Sequence, residues 1–124
     1  MRDGKHVILC IDDDEDIRIV LKMVLEANGY AVETAPTAED GLKVFKKAQP
    51  DLVIVDLMME EIDAGTAFVK ELRALGDTPP IYMLSSMGDH LSTATDYSDL
   101  GLAGVFQKPI DNERLLSILK TKLS

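Results

Sequence analysis

Cysteine occurs once in this chain of 124 residues, at Cys10, so no intramolecular disulfide can form. Cys10 lies inside an apolar run without metal-ligand neighbours, as a small core residue of a reducing compartment does. The two histidines, His6 and His90, stand far apart and lack Cys or His companions at zinc spacing. Cationic residues are outnumbered, 13 Lys and Arg against 22 Asp and Glu, for a net charge of −9. Such a chain repels a phosphate backbone, and no basic cluster compensates, which argues against a direct nucleic-acid partner. The longest uninterrupted apolar run, Val7 to Ile11, is too short for a membrane span or a signal-peptide core. Repeats, low-complexity tracts and linkers are also missing. What remains is 46% hydrophobic and 28% charged, ordinary for a single soluble domain over residues 1–124 with a real core.

Four apolar residues, mostly β-branched, stand between two aspartates in Asp51-Leu52-Val53-Ile54-Val55-Asp56. That pattern predicts a strand buried on both faces, as in a parallel sheet, with Asp56 at its carboxyl end. Val7 to Ile11 predicts a first strand, running straight into Asp12-Asp13-Asp14-Glu15-Asp16. Asp14, Glu15 and Asp16 suit a helix start. Ile17, Val20, Leu21, Val24 and Leu25 mark the inner face of that helix, which Asn28-Gly29 stops. Tyr30 to Thr34 reads as a short second strand. Thr37 and Asp40 cap a second helix with Leu42, Phe45 and Ala48 inward, ending before Pro50. A loop from Leu57 to Ala64 leads to a helix over 65–75, with Phe68, Leu72 and Leu75 inward and Gly76 at its end. Ile81 to Leu84 is a fourth strand, finishing at Ser85. Leu91, Ala94, Tyr97 and Leu100 mark a weakly specified fourth helix, whose Ser and Thr content suits a switching segment. Gly104 to Gln107 is the last strand. Asp111 caps a final helix, with Ile110 and Leu115 placed for a hydrophobic staple. Five strands alternating with five helices predict an α/β doubly wound parallel sheet with right-handed crossovers.

In such a sheet the carboxyl ends of the strands share one edge, where ligands bind. The first strand brings Asp12 and Asp13 there, the third Asp56, the fourth Ser85 and the fifth Lys108. If the first and third strands are neighbours, three carboxylates meet. Two like charges ~4 Å apart repel by roughly 4 kcal/mol at an effective dielectric constant of ~20, so such a cluster calls for a cation. Oxygen ligands without imidazole or thiolate select a hard ion: magnesium, manganese or calcium. A small all-carboxylate site with room for waters and a phosphate suits magnesium best. A metal, an ammonium and a hydroxyl together can neutralise three oxygens of a phosphoryl group, and a carboxylate can accept it.

This constellation resembles the receiver domain of two-component response regulators. The resemblance covers essentially the whole chain. It rests on Asp12-Asp13, Asp56, Ser85, Lys108-Pro109, and Gly101-Leu102-Ala103-Gly104 before the last strand. The resemblance implies a flavodoxin-like fold with strand order 2-1-3-4-5. It implies that Asp56 accepts a phosphoryl group from a phosphohistidine on a histidine kinase or phosphotransfer protein. Asp12, Asp13 and Asp56, with the main-chain carbonyl of Met58, would hold Mg²⁺. Ser85 and Lys108 would bind phosphoryl oxygens, and the Lys108–Pro109 peptide would be cis. Such a domain is no enzyme on other substrates. It is cytoplasmic, a monomer or a phosphorylation-dependent dimer, and passes its signal to a downstream protein without touching nucleic acid or membrane.

The chain departs from the family pattern away from the phosphorylation chemistry. Glu60 stands where the family usually has Pro, and Ala64, followed by Gly65, where it has Gly. Val105 occupies the position of the aromatic switch residue, and Phe106 beside it faces the other way. Two other readings compete. Asp12-x-Asp14, Ser85 and Lys108 are similar in order and type to haloacid-dehalogenase-like phosphatases, which would leave Asp56 unexplained. The same fold could also serve as an unphosphorylated adaptor, which the full set of Asp12, Asp13, Asp56, Ser85 and Lys108 argues against. A nucleotide- or flavin-binding module would need a Gly-, Ser- or Thr-rich loop where this chain places five acids.

Overall fold

Parallel strands buried on both faces are near-continuous apolar runs, and three of the five strands here are, two of them closing on a polar residue. A computed structural model describes residues 3–56, 64–76, 79–85, 102–108 and 110–123. The strands are β1 (Val7–Ile11), β2 (Ala31–Ala35), β3 (Leu52–Asp56), β4 (Ile81–Ser85) and β5 (Gly104–Gln107). All neighbouring pairs are parallel, and the sheet order is β2-β1-β3-β4-β5. Every residue of β1, β3 and β4 is buried. Among the described residues four helices accompany them: α1 (Glu15–Ala27), α2 (Ala38–Ala48), α3 (Ala64–Ala74) and α4 (Asn112–Leu123). The fold is therefore the flavodoxin-like doubly wound sheet. The helix expected over Leu91–Leu100 lies outside the described residues, as do Met58, Glu60, Met87 and Pro109.

Successive strand side chains point to opposite faces, and the core divides accordingly. Ile8, Cys10, Leu52, Ile54, Tyr82, Leu84 and Phe106 pack with Leu21 and Leu25 of α1 and Leu115 and Leu119 of α4. Leu9, Ile11, Val53, Val55, Ile81 and Met83 pack on the other face with Phe68, Val69 and Leu72 of α3, and Leu42, Val44 and Phe45 of α2 lie against them. Fully burying each such Leu, Ile or Phe stabilises by about 1.5–3 kcal/mol. The buried polar residues Asp12, Asp56 and Ser85 gather at the carboxyl edge of the sheet.

The helix ends follow local chemistry. Asp14 is the N-cap of α1 and accepts from the Asp16 amide. Asn28 and Gly29, the latter at φ +92°, end that helix. Thr37 caps α2 through the Asp40 amide at 3.0 Å. At the other end Gln49 takes a left-handed conformation with its amide on the Phe45 carbonyl, and Pro50, which cannot continue the helix, follows. Asp111 accepts from the amides of Glu113 and Arg114, and Ile110 and Leu115 pack into the same core.

Two expected core residues face solvent instead. Val20 is 49% exposed, because α1 buries the narrower Leu21–Leu25 stripe and leaves Val20 on a groove shared with Ile110. Leu75 is 53% exposed, because it follows the last residue of α3 and the chain turns at Gly76 (φ +109°). Gly41 has the opposite history. Periodicity does not single it out, yet it is buried, and a Cβ there would lie 2.5 Å from Ile11 Cδ1. The missing side chain lets α2 approach β1.

At the amino edge of the sheet Asp51 joins β3 to β1. Its amide donates to the Val7 carbonyl at 2.7 Å, and its carboxylate accepts from the Val7 amide at 2.8 Å. His6 Nδ1 lies 3.8 Å from the same oxygen. Burial works to raise the Asp51 pKa, but the Val7 amide and its charged neighbours outweigh it, so the carboxyl lies below its ordinary value. A carboxyl depressed in the folded state stabilises fully above its unfolded value, roughly 3.9, and loses that contribution as pH falls through the folded value. Asp51→Ala should therefore cost about 1–3 kcal/mol at neutral pH, as the Val7 amide loses a charged acceptor. The gap between wild-type and variant urea midpoints should close on acidification below about pH 4. An equal gap at pH 7 and pH 2.5 would show that the charge of Asp51 contributes nothing.

Candidate functional site

β1 and β3 lie side by side, with Ile11 opposite Val55, so the next residues along, Asp12 and Asp56, end adjacent strands. β4 continues the row, with Asp56 opposite Leu84 and Ser85 one step beyond. β5 completes it, with Gln107 opposite Ser85. The Lys108 amide extends that ladder by donating to the Ser85 carbonyl at 2.8 Å. The sheet order thus delivers Asp12, Asp56, Ser85 and Lys108 to one edge.

Asp12, Asp56 and Ser85 are the buried polar residues among those described, and Asp12 is wholly inaccessible. An isolated buried carboxylate costs several kcal/mol in lost solvation. Lys108 offsets part of that. Its Nζ reaches back from the edge strand to lie 3.2 Å from Asp12 Oδ2 and 3.2 Å from Asp56 Oδ1. Burial works to lower the Lys108 pKa, but the carboxylates of Asp12 and Asp56 more than reverse this, so the ammonium is held above its ordinary value. Asp12 is anchored on every side. Its amide donates to the Ala35 carbonyl (3.1 Å), Oδ1 accepts from the Asp14 amide (2.9 Å), and its carbonyl accepts from Arg18 Nη1 (2.7 Å). Oδ2 has the Lys108 ion-pair contact but no hydrogen bond of good geometry.

Asp13 is exposed, yet its carboxylate turns back to the same place. Ligand atoms of Asp12, Asp13 and Asp56 lie within 4.8 Å of one another. Partial burial and then the Asp12 charge push the Asp13 pKa above its ordinary value, against the pull of Lys108. Among the described residues the three carboxylates share the Lys108 ammonium, which leaves excess negative charge there. An oxygen-only donor set around a buried oxygen short of hydrogen bonds suits a hard divalent cation, magnesium foremost. These residues fit that ion.

The structure brings together Asp12, Asp13, Asp56 and Lys108, and places Ser85 at the end of the adjoining strand. Met58, expected to offer a carbonyl, lies outside the described residues. Asp14 stays out of the cluster because its carboxylate caps α1, which removes the Asp12-x-Asp14 pairing that the phosphatase reading needs. Val105 and Phe106 fall on opposite faces of the sheet, as expected. Sequence reasoning missed Arg18. Its one signal is an arginine in the first turns of the helix that follows the acidic turn.

The family model described as the response regulator receiver domain matches residues 8–120. "Probable transcriptional regulator ycf27" of Pyropia yezoensis is 35% identical over 99% of this chain and 49% of its own length. Response regulator MprA of Mycolicibacterium vanbaalenii is 34% identical over 94% of this chain and 49% of its own. The chain thus spans about half the length of the curated relatives it matches. Among solved structures, the chemotaxis protein CheY4 of Vibrio cholerae superposes with a TM-score of 0.85 at 30% identity, covering 96% of this chain and 99% of that one.

The charge balance has two testable consequences. Lys108→Met leaves Asp12 buried without a counter-charge and should cost about 3–5 kcal/mol in metal-free buffer. Adding Asp12→Asn should recover part of that loss, since it removes the charge that Lys108 serves. Equal urea midpoints for the single and double variants would refute the pairing. Asp13 acts in the other direction. A carboxyl raised in the folded state contributes stability below its unfolded value and loses it as pH rises through the folded value. Asp13→Asn should accordingly stabilise the metal-free protein at neutral pH, modestly because the group is solvent-screened. The gain should vanish in acid, as chemical denaturation at the two pH values will show.

Proposed function

Because this chain belongs to the response regulator receiver domain family, we propose that it is the phosphoacceptor of a two-component system, with Asp56 as the residue modified. The donor is a phosphohistidine on a histidine kinase or phosphotransfer protein. An Asp56 carboxylate oxygen attacks phosphorus, the new P–O bond forms as the P–N bond breaks, and the imidazole leaves with the electron pair. Lys108, already beside Asp56, exchanges a carboxylate contact for a phosphoryl oxygen. The Ser85 hydroxyl donates to a second oxygen. Asp12, Asp13 and Asp56, with the Met58 carbonyl, are the residues that would hold Mg²⁺, and bound there it would neutralise charge on the transferred group.

One observation carries this reading. A single lysine stands 3.2 Å from each of two buried carboxylates, inside a group of three that lie within 4.8 Å. A site meant only for packing would pair its charges one to one. The chemistry acts on the protein's own side chain, so the domain is a signalling module and not an enzyme on other substrates. Its output is a change in protein–protein contacts, as a monomer or a phosphorylation-dependent dimer in the cytoplasm. Control of transcription, suggested by the names of the longer relatives, would need a separate output module, since a net charge of −9 keeps this domain off a phosphate backbone.

Incubation with acetyl phosphate and Mg²⁺ should add one phosphoryl group, read by intact mass. Asp56→Asn should abolish the adduct, and EDTA should suppress it. An adduct that persists in Asp56→Asn, or that forms equally well in EDTA, would overturn the assignment.

A further inference from the structure

The Asp12 carbonyl stands just past the last paired residue of β1, where the ladders to β2 and β3 have ended at Ile11. A main-chain acceptor at such a place needs a donor. Arg18 supplies it from the second turn of α1, through Nη1 at 2.7 Å, a short, charge-assisted contact. The Arg18 amide also donates to the Asp14 carbonyl at 3.1 Å. Arg18 therefore grips the Asp12–Asp14 turn at both ends, with its guanidinium on the first carbonyl and its amide on the last.

The consequence falls on Asp13. Asp12 is fixed by burial, and Asp56 by its place in the central strand. Asp13 is exposed, so packing does not aim it. The direction of its carboxylate follows from the plane of the Asp12–Asp13 peptide, and that plane is set by where the Asp12 carbonyl points. We propose that Arg18 is a positioning residue of the divalent-cation site, holding the Asp12–Asp13 peptide so that the Asp13 carboxylate meets those of Asp12 and Asp56. The proposal rests on the metal-dependent reading given above. A planar guanidinium suits the role because its donors are fixed relative to one another, whereas a lysine would offer a mobile point charge.

The test is Mn²⁺ binding to the unphosphorylated protein, followed by the electron paramagnetic resonance signal of free Mn²⁺, for wild type, Arg18→Lys, Arg18→Gln and Arg18→Met. Urea midpoints in EDTA are measured alongside. Arg18→Met should weaken Mn²⁺ about tenfold, equivalent to about 1.4 kcal/mol. Arg18→Gln and Arg18→Lys, each keeping a nitrogen that can donate, should fall between it and wild type. The loss should exceed any expected from the change in the EDTA midpoint, because a purely structural arginine would move stability and leave the affinity of the folded protein alone. Dissociation constants within twofold of wild type in Arg18→Met would overturn the role of Arg18 while leaving the cation site intact. Should Arg18→Met not fold, unchanged affinity in both Arg18→Gln and Arg18→Lys is equally decisive against it. Failure of wild type to bind Mn²⁺ at all would instead remove the metal-dependent reading, and this inference with it.

Discussion

A cluster of carboxylates, two of them buried, gathered around the Lys108 ammonium is the feature around which this protein is organised. Asp12 is removed from water, Asp56 is nearly so, and Asp13 adds a third negative group, while among the described residues the Lys108 ammonium serves them. Replacing such a cluster with apolar side chains would be neutral or stabilising in most folds. Its retention at the centre of the sheet edge makes the folded state responsive to whatever neutralises it. Under the proposed function a divalent cation and a phosphoryl group would alter that balance in opposite directions, and Lys108 stands beside both buried carboxylates.

The scaffold keeps the cluster in place by holding β1 at both ends. At the amino end the Asp51 carboxylate accepts from the Val7 amide. At the carboxyl end the Asp12 carboxylate accepts from the Asp14 amide while Ala35 and Arg18 hold the Asp12 main chain. Between them run five buried apolar residues gripped on both faces. The strand has little freedom to shift, and a one-residue slip would exchange its two faces. The buried carboxylates of Asp12 and Asp56 are held by the strands, whereas the Lys108 ammonium reaches them on a four-carbon stem.

Much of this was legible from residue order. Val7–Ile11, Leu52–Asp56 and Ile81–Ser85 stand out because strands buried on both faces are near-continuous apolar runs between polar ends. The caps at Thr37 and Asp111 were readable because capping is a contact between residues two or three apart. The α/β class follows from the alternation of such elements, and the set Asp12, Asp13, Asp56, Ser85 and Lys108 follows from which residues end the strands. Helix faces were readable only in part. Val20 and Leu75 fit the helical period but face solvent, because the width of a buried stripe and the point where a helix leaves its phase depend on what packs against it.

Tertiary structure alone decided who meets whom. Nothing in the one-dimensional pattern places β1 beside β3; residue order permits the convergence, and the resemblance to receiver domains supplied the strand order. The 3.2 Å contacts of Lys108 with two carboxylates span strands separated by dozens of residues. The same holds for Gly41 against Ile11 and for the Arg18 guanidinium on the Asp12 carbonyl. Local sequence determines what each segment can form and which chemical groups it carries, since propensity, periodicity and capping act over a few residues. Close approach, charge balance and orphaned acceptors depend on distances through space, and those exist only once the chain has folded.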